Sequence, residues 1–422
     1  MSTTIDVQEL RVGMFVHLDL SWLAHPFPVG SFRITQAQQI DRIRALGLKS
    51  LRWSPEKSDI VPPPLPATAQ PAPDLPAPSP VPTVEQTAAA LRRDQLAAQR
   101  ASAEVCQQQF DEATHAWCEV QRKVLDSPQQ ARADAEALSR AIVDKLLIDG
   151  DVCIRLLSCN AGDQAATHAM NVAVVSLLLG RNFGMKADEM FDLGVGAMLH
   201  DVGKLEMPER LRHADERFDK DDLAAYRQHV AHGVVQGRRM GLAPGALLVL
   251  AQHHEHADGS GFPLRLKQDK LSLASRIVAL VNCYDKLCNP PLLLRALTPH
   301  EALSQLFAQS ASNFETSLLN GFIRMMGVYP AGSVVQLTDD RFALVISVNS
   351  TRPLKPNVLV FDPKCPRDEA LHLNLMHLPD LGIRRSLRPV QLPADALRYL
   401  APRPRGAYFF EAVHLSSEAV VA

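Results

Sequence analysis

Six residues of the types that hold transition metals recur through the middle of the chain: His168, the pair His200-Asp201, His229, and the pair His253-His254. Imidazole and carboxylate together suit Fe, Mn, Zn, Co or Ni, and one carboxylate can bridge two ions. A metal pair lowers the pKa of a shared water, so the chemistry in view is metal-assisted hydrolysis. Neighbouring helical residues diverge by about a third of a turn, so each doublet needs a helix end that faces the site. Gly203 after the first doublet, and Asp258-Gly259 after the second, are expected to supply those ends. Single histidines carry less weight: His213, His232 and His256 read as surface or structural residues, although His232 lies one turn from His229.

The elements that must position these donors read as helices. Apolar residues recur at three- and four-residue spacing over 165–181, 188–203, 221–240, 245–256, 272–288 and 299–326, so residues 149–328 are expected to be almost wholly helical. Upstream, residues 85–148 are polar and rich in good helix formers, with Phe110, Trp117 and Val120 on one face. They predict one or two long connecting helices, with a homodimeric coiled coil as the alternative. Between Pro62 and Pro82 stand ten of the 30 prolines, so residues 58–84 are expected to be a spacer without a core. Residues 1–57 predict a small α/β module, with a strand on Leu10, Val12, Met14, Val16 and Leu18 and a helix within Ile34–Leu48. After Val328 the apolar period drops to two, and residues 329–422 are expected to form a small β-rich domain.

With those elements in place, two motifs become specific: His200-Asp201-Val202-Gly203-Lys204, then His253-His254-Glu255, Asp258-Gly259 and Gly261-Phe262-Pro263 some fifty residues on. In this order they resemble the HD-GYP branch of the HD phosphohydrolase superfamily, with Phe262 where the family name has tyrosine. His229 with Gly233, and Arg276-Ile277 followed by Asn282-Cys283-Tyr284-Asp285, resemble two further family segments. The flanks resemble family members too: residues 10–27 are similar to an N-terminal module of unknown function often fused to these domains, and residues 327–337 to the segment that follows them.

The resemblance implies an HD-type helical bundle that hydrolyses cyclic di-GMP to pGpG, GMP or both. Divalent ions, Fe or Mn first and Zn, Co or Ni as alternatives, would be held by His168, His200, Asp201, His229, His253 and His254. Asn282 stands where the family usually has an aspartate ligand. By the same resemblance Asp201 bridges two ions and Lys204 stabilises the charged phosphorus centre, while Arg276, Gly261, Phe262, Pro263 and Asp285 face the substrate and Glu255 supports a ligating histidine. Three departures bear on this. Asn282 is neutral, Lys286 replaces an alanine, and Pro291-Leu292-Leu293 replaces a segment carrying a phosphate-binding arginine. Gln164, where some members have a glutamate supporting a third ion, points to two metals rather than three. The alternative reading is a degenerate receptor for cyclic di-GMP, or a scaffold for GGDEF-type diguanylate cyclases.

Composition sets the outer limits. A net charge of −2 argues against a nucleic-acid polymer or a membrane surface as partner. The seven cysteines form no C-x-x-C pair, which fits reduced thiols. The polar, acidic N-terminus does not resemble a signal peptide, and Val172–Leu179 is too short to cross a bilayer, so a cytoplasmic location is expected.

Overall fold

The computed structural model describes residues 3–27, 29–59, 84–147, 151–158, 164–213, 217–309, 311–350 and 352–412. Nearly all of the proline-rich stretch lies outside them. The chain divides into two compact units, Met1–Ala101 and Ser102–Ala422.

In the first unit, strands β1 (Thr3–Asp6), β2 (Phe15–His17) and β3 (Ser31–Arg33), helix α1 (Ala37–Ala45) and strand β4 (Ser50–Trp53) make an antiparallel sheet of order β1-β4-β2-β3. Its core joins Leu10, Met14, Val16 and Leu18 to Ile34, Ile40 and Ile43. The strand expected across residues 10–18 shrinks to three residues, because Gly13 adopts a left-handed φ of 97° and turns the chain just before it. Val12 is exposed accordingly.

Helices α2 (Val84–Lys123) and α3 (Pro128–Leu146) follow, then strand β5 (Val152–Leu157). The bundle continues with α4 (Gln164–Asn182), α5 (Ala187–Leu199), α6 (Lys220–Arg227), α7 (His229–Met240), α8 (Pro244–Gln252), α9 (Leu273–Cys288), α10 (Pro299–Gln309) and α11 (Thr316–Met326). Val172–Leu179 is buried throughout, as the inner turns of the central helix α4. Among the described residues no helix is long and apolar enough to cross a membrane.

Two elements expected to be peripheral are structural parts of the bundle. The pair α2–α3 is more than a connector. Val120, Val124, Ala131 and Ala135 share one core with Leu199 of α5 and Leu250 of α8, and Trp117 Nε1 donates to the carbonyl of Met198 at 2.9 Å. This clamps the C-terminal ends of α5 and α8. Nor does a boundary at 329 separate two self-contained domains. Strands β6 (Val334–Leu337), β7 (Phe342–Asn349), β8 (Asn357–Val360), β9 (His372–Asn374) and β10 (Ile383–Leu387), helix α12 (Ala394–Leu400) and strand β11 (Ala407–Ala412) complete the chain. The sheet runs β10-β6-β7-β5-β11, so β5, from the start of the helical region, pairs with both β7 and β11. A buried ion pair, Arg155 to Glu411 at 2.6 Å, joins β5 to β11. The fold class is as expected: mainly helical, with a strand-rich N-terminal module and a C-terminal sheet.

Gly203 was expected to mark a helix end after His200-Asp201, and α5 does end just before that doublet, at Leu199. Gly203 itself lies in a short 3-10 segment, Val202–Glu206, pressed against α7. A Cβ there would sit 2.0 Å from the carbonyl oxygen of His229 and 2.3 Å from the nitrogen of Gly233. A Cβ at Gly233 would have nothing nearer than 3.6 Å. Gly203→Ala is therefore expected to destabilise the chain by about 1–3 kcal/mol through backbone displacement. Gly233→Ala should be neutral or gain up to about 1 kcal/mol from helix propensity. Denaturant unfolding of the two variants reads the asymmetry, and equal effects would contradict this packing.

Candidate metal centre

Each donor sits at or beside a helix terminus. His168 lies in the second turn of α4, His200 caps the C-terminus of α5 with Asp201 next, His229 opens α7 directly after α6, and His253 caps α8 with His254 next. The last carbonyls of a helix lack an intrahelical partner. Three of the imidazoles use them. His200 Nδ1 donates to Ala197 O at 2.7 Å, His229 Nδ1 to Tyr226 O at 2.6 Å, and His253 Nδ1 to Leu250 O at 2.9 Å. A carbonyl only accepts, so each Nδ1 carries the proton and each Nε2 presents a lone pair. His168 reaches the same state differently, through Nδ1 to Asp285 Oδ2 at 2.6 Å.

The four Nε2 atoms form two sets around Asp201. His168 and His200 bring theirs to 3.2 Å of each other, and His229 and His253 to 3.4 Å. His229 and His253 carry their protons on Nδ1, so their two Nε2 atoms cannot hydrogen-bond, and at this range their lone pairs repel. Two nitrogens bound to one tetrahedral ion at about 2.0–2.1 Å would stand about 3.3–3.4 Å apart. Asp201 turns one oxygen to each set: Oδ2 lies 3.4 Å from His200 and 3.6 Å from His168, Oδ1 3.5 Å from His229 and 3.8 Å from His253. His254 joins the second set. Its Nε2, Asp201 Oδ1 and Asn282 Oδ1 are buried polar atoms without a hydrogen-bond partner among the described residues. The residues present thus fit metal ions.

Electrostatics agree with that chemistry. Burial lowers the pKa of His200, takes His229 down to about 4, and holds His253 and His254 well below their ordinary value. All four are neutral imidazoles at neutral pH. Burial alone would raise the Asp201 carboxyl, but Lys204, His200 and Lys286 outweigh it and hold it well below the carboxylate range. Burial would likewise lower Lys204, yet Asp201, 2.6 Å away, keeps it above its ordinary value.

The centre opens on a cavity of about 460 Å³ lined by His168, His200, Asp201, Lys204, Lys286 and Asn289, with Trp117 on its wall. Several expected substrate contacts lie elsewhere. Gly261 packs on backbone: a Cβ there would meet His254 O at 2.4 Å. The Phe262 ring stacks on His254, centroids 4.4 Å apart, and Pro263 follows a cis peptide bond. This turn braces the second doublet. Glu255, expected to support a histidine, accepts the backbone N–H groups of Leu264 and Leu266 and so pins the same turn. Arg276 is paired with Glu315, away from the cavity. Asp285 stands behind His168, not before the substrate. Its Oδ1 accepts from Asn171 and Asn289, whose amides also donate to Gly406 O. Conversely, His213 lines the cavity, as do Arg212, Tyr226 and Asn289, none of which residue type or spacing had marked.

A helical bundle with two histidine sets sharing one carboxylate defines a metal-binding phosphohydrolase type of site. Residues 151–318 match the family model described as HD domain, and residues 2–135 match that of a domain of unknown function, DUF3391. The chain is 26% identical over 374 residues to a cyclic di-GMP phosphodiesterase of Pseudomonas aeruginosa, covering 86% of this chain and 85% of that one. A 3'3'-cGAMP-specific phosphodiesterase of Vibrio cholerae is 29% identical over 37% of this chain and 30% of its own length. The cyclic di-GMP phosphodiesterase PdeB of Borreliella burgdorferi is 21% identical over 45% of this chain and 50% of its own length.

The buried imidazoles set a pH signature. Their folded pKa values lie below the unfolded value of about 6.5, so between these limits the unfolded chain binds more protons. Stability of the metal-free protein is therefore complete above that pH and falls as pH drops towards the value of about 4 at His229. Urea unfolding at pH 7 and pH 5 should show the loss, and equal or greater stability at pH 5 would contradict neutral imidazoles in the fold.

Proposed function

We propose that the chain is a metal-dependent phosphodiesterase that hydrolyses cyclic di-GMP to pGpG, GMP or both, in the cytoplasm, with two divalent ions, Fe or Mn first. The observation that carries this reading is Asp201, one carboxylate with an oxygen toward each histidine set. The near full-length similarity to the P. aeruginosa phosphodiesterase supports the substrate. His168, His200 and Asp201 would hold one ion, and Asp201, His229, His253 and His254 the other, with Asn282 as a weak additional ligand.

When bound, the ion pair supplies a hydroxide nucleophile at neutral pH and a clamp on the phosphate oxygens. The chain supplies the rest. The helix-end carbonyls fix the imidazoles, so no rearrangement is needed as charge develops. Lys204 remains protonated beside Asp201 and offsets negative charge growing on the phosphate. The wall of Trp117, Val124, Met198 and Leu199 limits water at the centre.

The neutral Asn282 favours a second reading, a receptor that holds cyclic di-GMP without cleaving it, with diguanylate cyclases as partners. Asn282 shares a face of α9 with Asp285 and Lys286, at three- and four-residue spacing. The deciding experiment is anaerobic purification of the full chain, metal analysis, and product analysis with cyclic di-GMP and, in parallel, cyclic GMP–AMP. Wild type should release linear products from cyclic di-GMP. His200→Ala and Asp201→Ala should each lose at least one ion and all measurable turnover, whereas Asn282→Asp, which adds a charged hard ligand, should raise both metal retention and turnover. Full metal content in both alanine variants would refute the ligand set. Tight binding of cyclic di-GMP without cleavage would establish the receptor.

A further inference from the structure

The cavity beside the metal centre holds more positive than negative charge. Its described lining includes the cations Lys204, Arg212 and Lys286 but a single carboxylate, Asp201. Lys204 already engages that carboxylate, and Arg212 Nε donates to the carbonyl of Met207. Lys286 differs. It follows Asp285 in the last turn of α9, is only partly exposed, and no carboxylate among the described residues pairs with it. Its charge nonetheless reaches the donors: it helps lower the pKa of His254, His229 and His253, and of Asp201. The ammonium faces the same cavity as His168, His200 and Asp201.

An unpaired cation beside donors that fit another cation is unfavourable until an anion arrives. We propose that Lys286 is a phosphate-binding residue of this centre, gripping a non-bridging oxygen of the diester and, with no anion present, holding down metal affinity at the centre. This rests on the phosphodiesterase reading for the identity of the diester, not for the coupling itself. Coupling of this kind is reciprocal: phosphate strengthens metal binding by the factor by which metal strengthens phosphate binding.

The test uses the folded, metal-stripped full chain, titrated with Mn(II) with and without inorganic phosphate, as wild type, Lys286→Met and Lys286→Arg. Lys286→Gln stands by if circular dichroism shows that the methionine variant misfolds. In wild type, phosphate should tighten Mn(II) binding about fivefold or more. Lys286→Met should bind Mn(II) more tightly than wild type without phosphate and lose most of the response to phosphate, while Lys286→Arg should keep it. A neutral variant that matches wild type in both conditions overturns the proposal, as does an arginine variant that behaves like methionine. Turnover of cyclic di-GMP by the same wild-type preparation separates the two readings. Coupling without turnover removes the substrate assignment and leaves Lys286 in place. Turnover without Lys286-dependent coupling does the reverse.

Discussion

The centre depends on one repeated interaction: an imidazole Nδ1–H donated to a carbonyl that a helix C-terminus leaves unpaired. It occurs after α5, after α6 and after α8, each time to the residue three positions earlier. One short local bond settles the tautomer, the ring orientation and the direction of the metal-binding lone pair. The bundle core, through Leu199, Val202 and Leu250, needs only to bring those helix ends together.

His168 is the exception, and it links the centre to the far end of the chain. Lying in the second turn of α4, near the N-terminal end, it follows no helix C-terminus whose carbonyls it could use, and it relies on Asp285. That carboxylate is fixed by Asn171 and Asn289, and both amides are anchored at the start of β11. Gly406 O accepts from each of them, Gly406 N donates to Asn289, and Tyr408 N donates to Asn171. The C-terminal strand is thus part of the support for a metal ligand. Its pairing with β5 gives that support a rigid base.

The order and types of the metal donors were legible in the sequence because histidine and aspartate doublets at the ends of apolar periodic segments are informative by themselves. So was the helical bundle, since three- and four-residue periodicity is a local property. What was not legible depends on backbone or on distant pairing. The family resemblance turns Gly261-Phe262-Pro263 toward the substrate, yet this turn packs on the backbone of His254. Arg276 offers a phosphate-binding side chain, but Glu315, far along the chain, takes it. The union of β5 with β11 and the wall that α2 provides are products of tertiary packing, to which no local pattern corresponds. Lys286 registered only as an unexpected residue type, and its place at the cavity needed the fold.

The central claim is that Asp201 joins two metal positions into one centre. Anomalous diffraction from crystals of the full chain loaded with Mn(II) tests it most directly. The account predicts two peaks a few ångströms apart, with Asp201 contacting both, His168 and His200 on one, and His229, His253 and His254 on the other. A single peak, or two peaks that do not share Asp201, would contradict it.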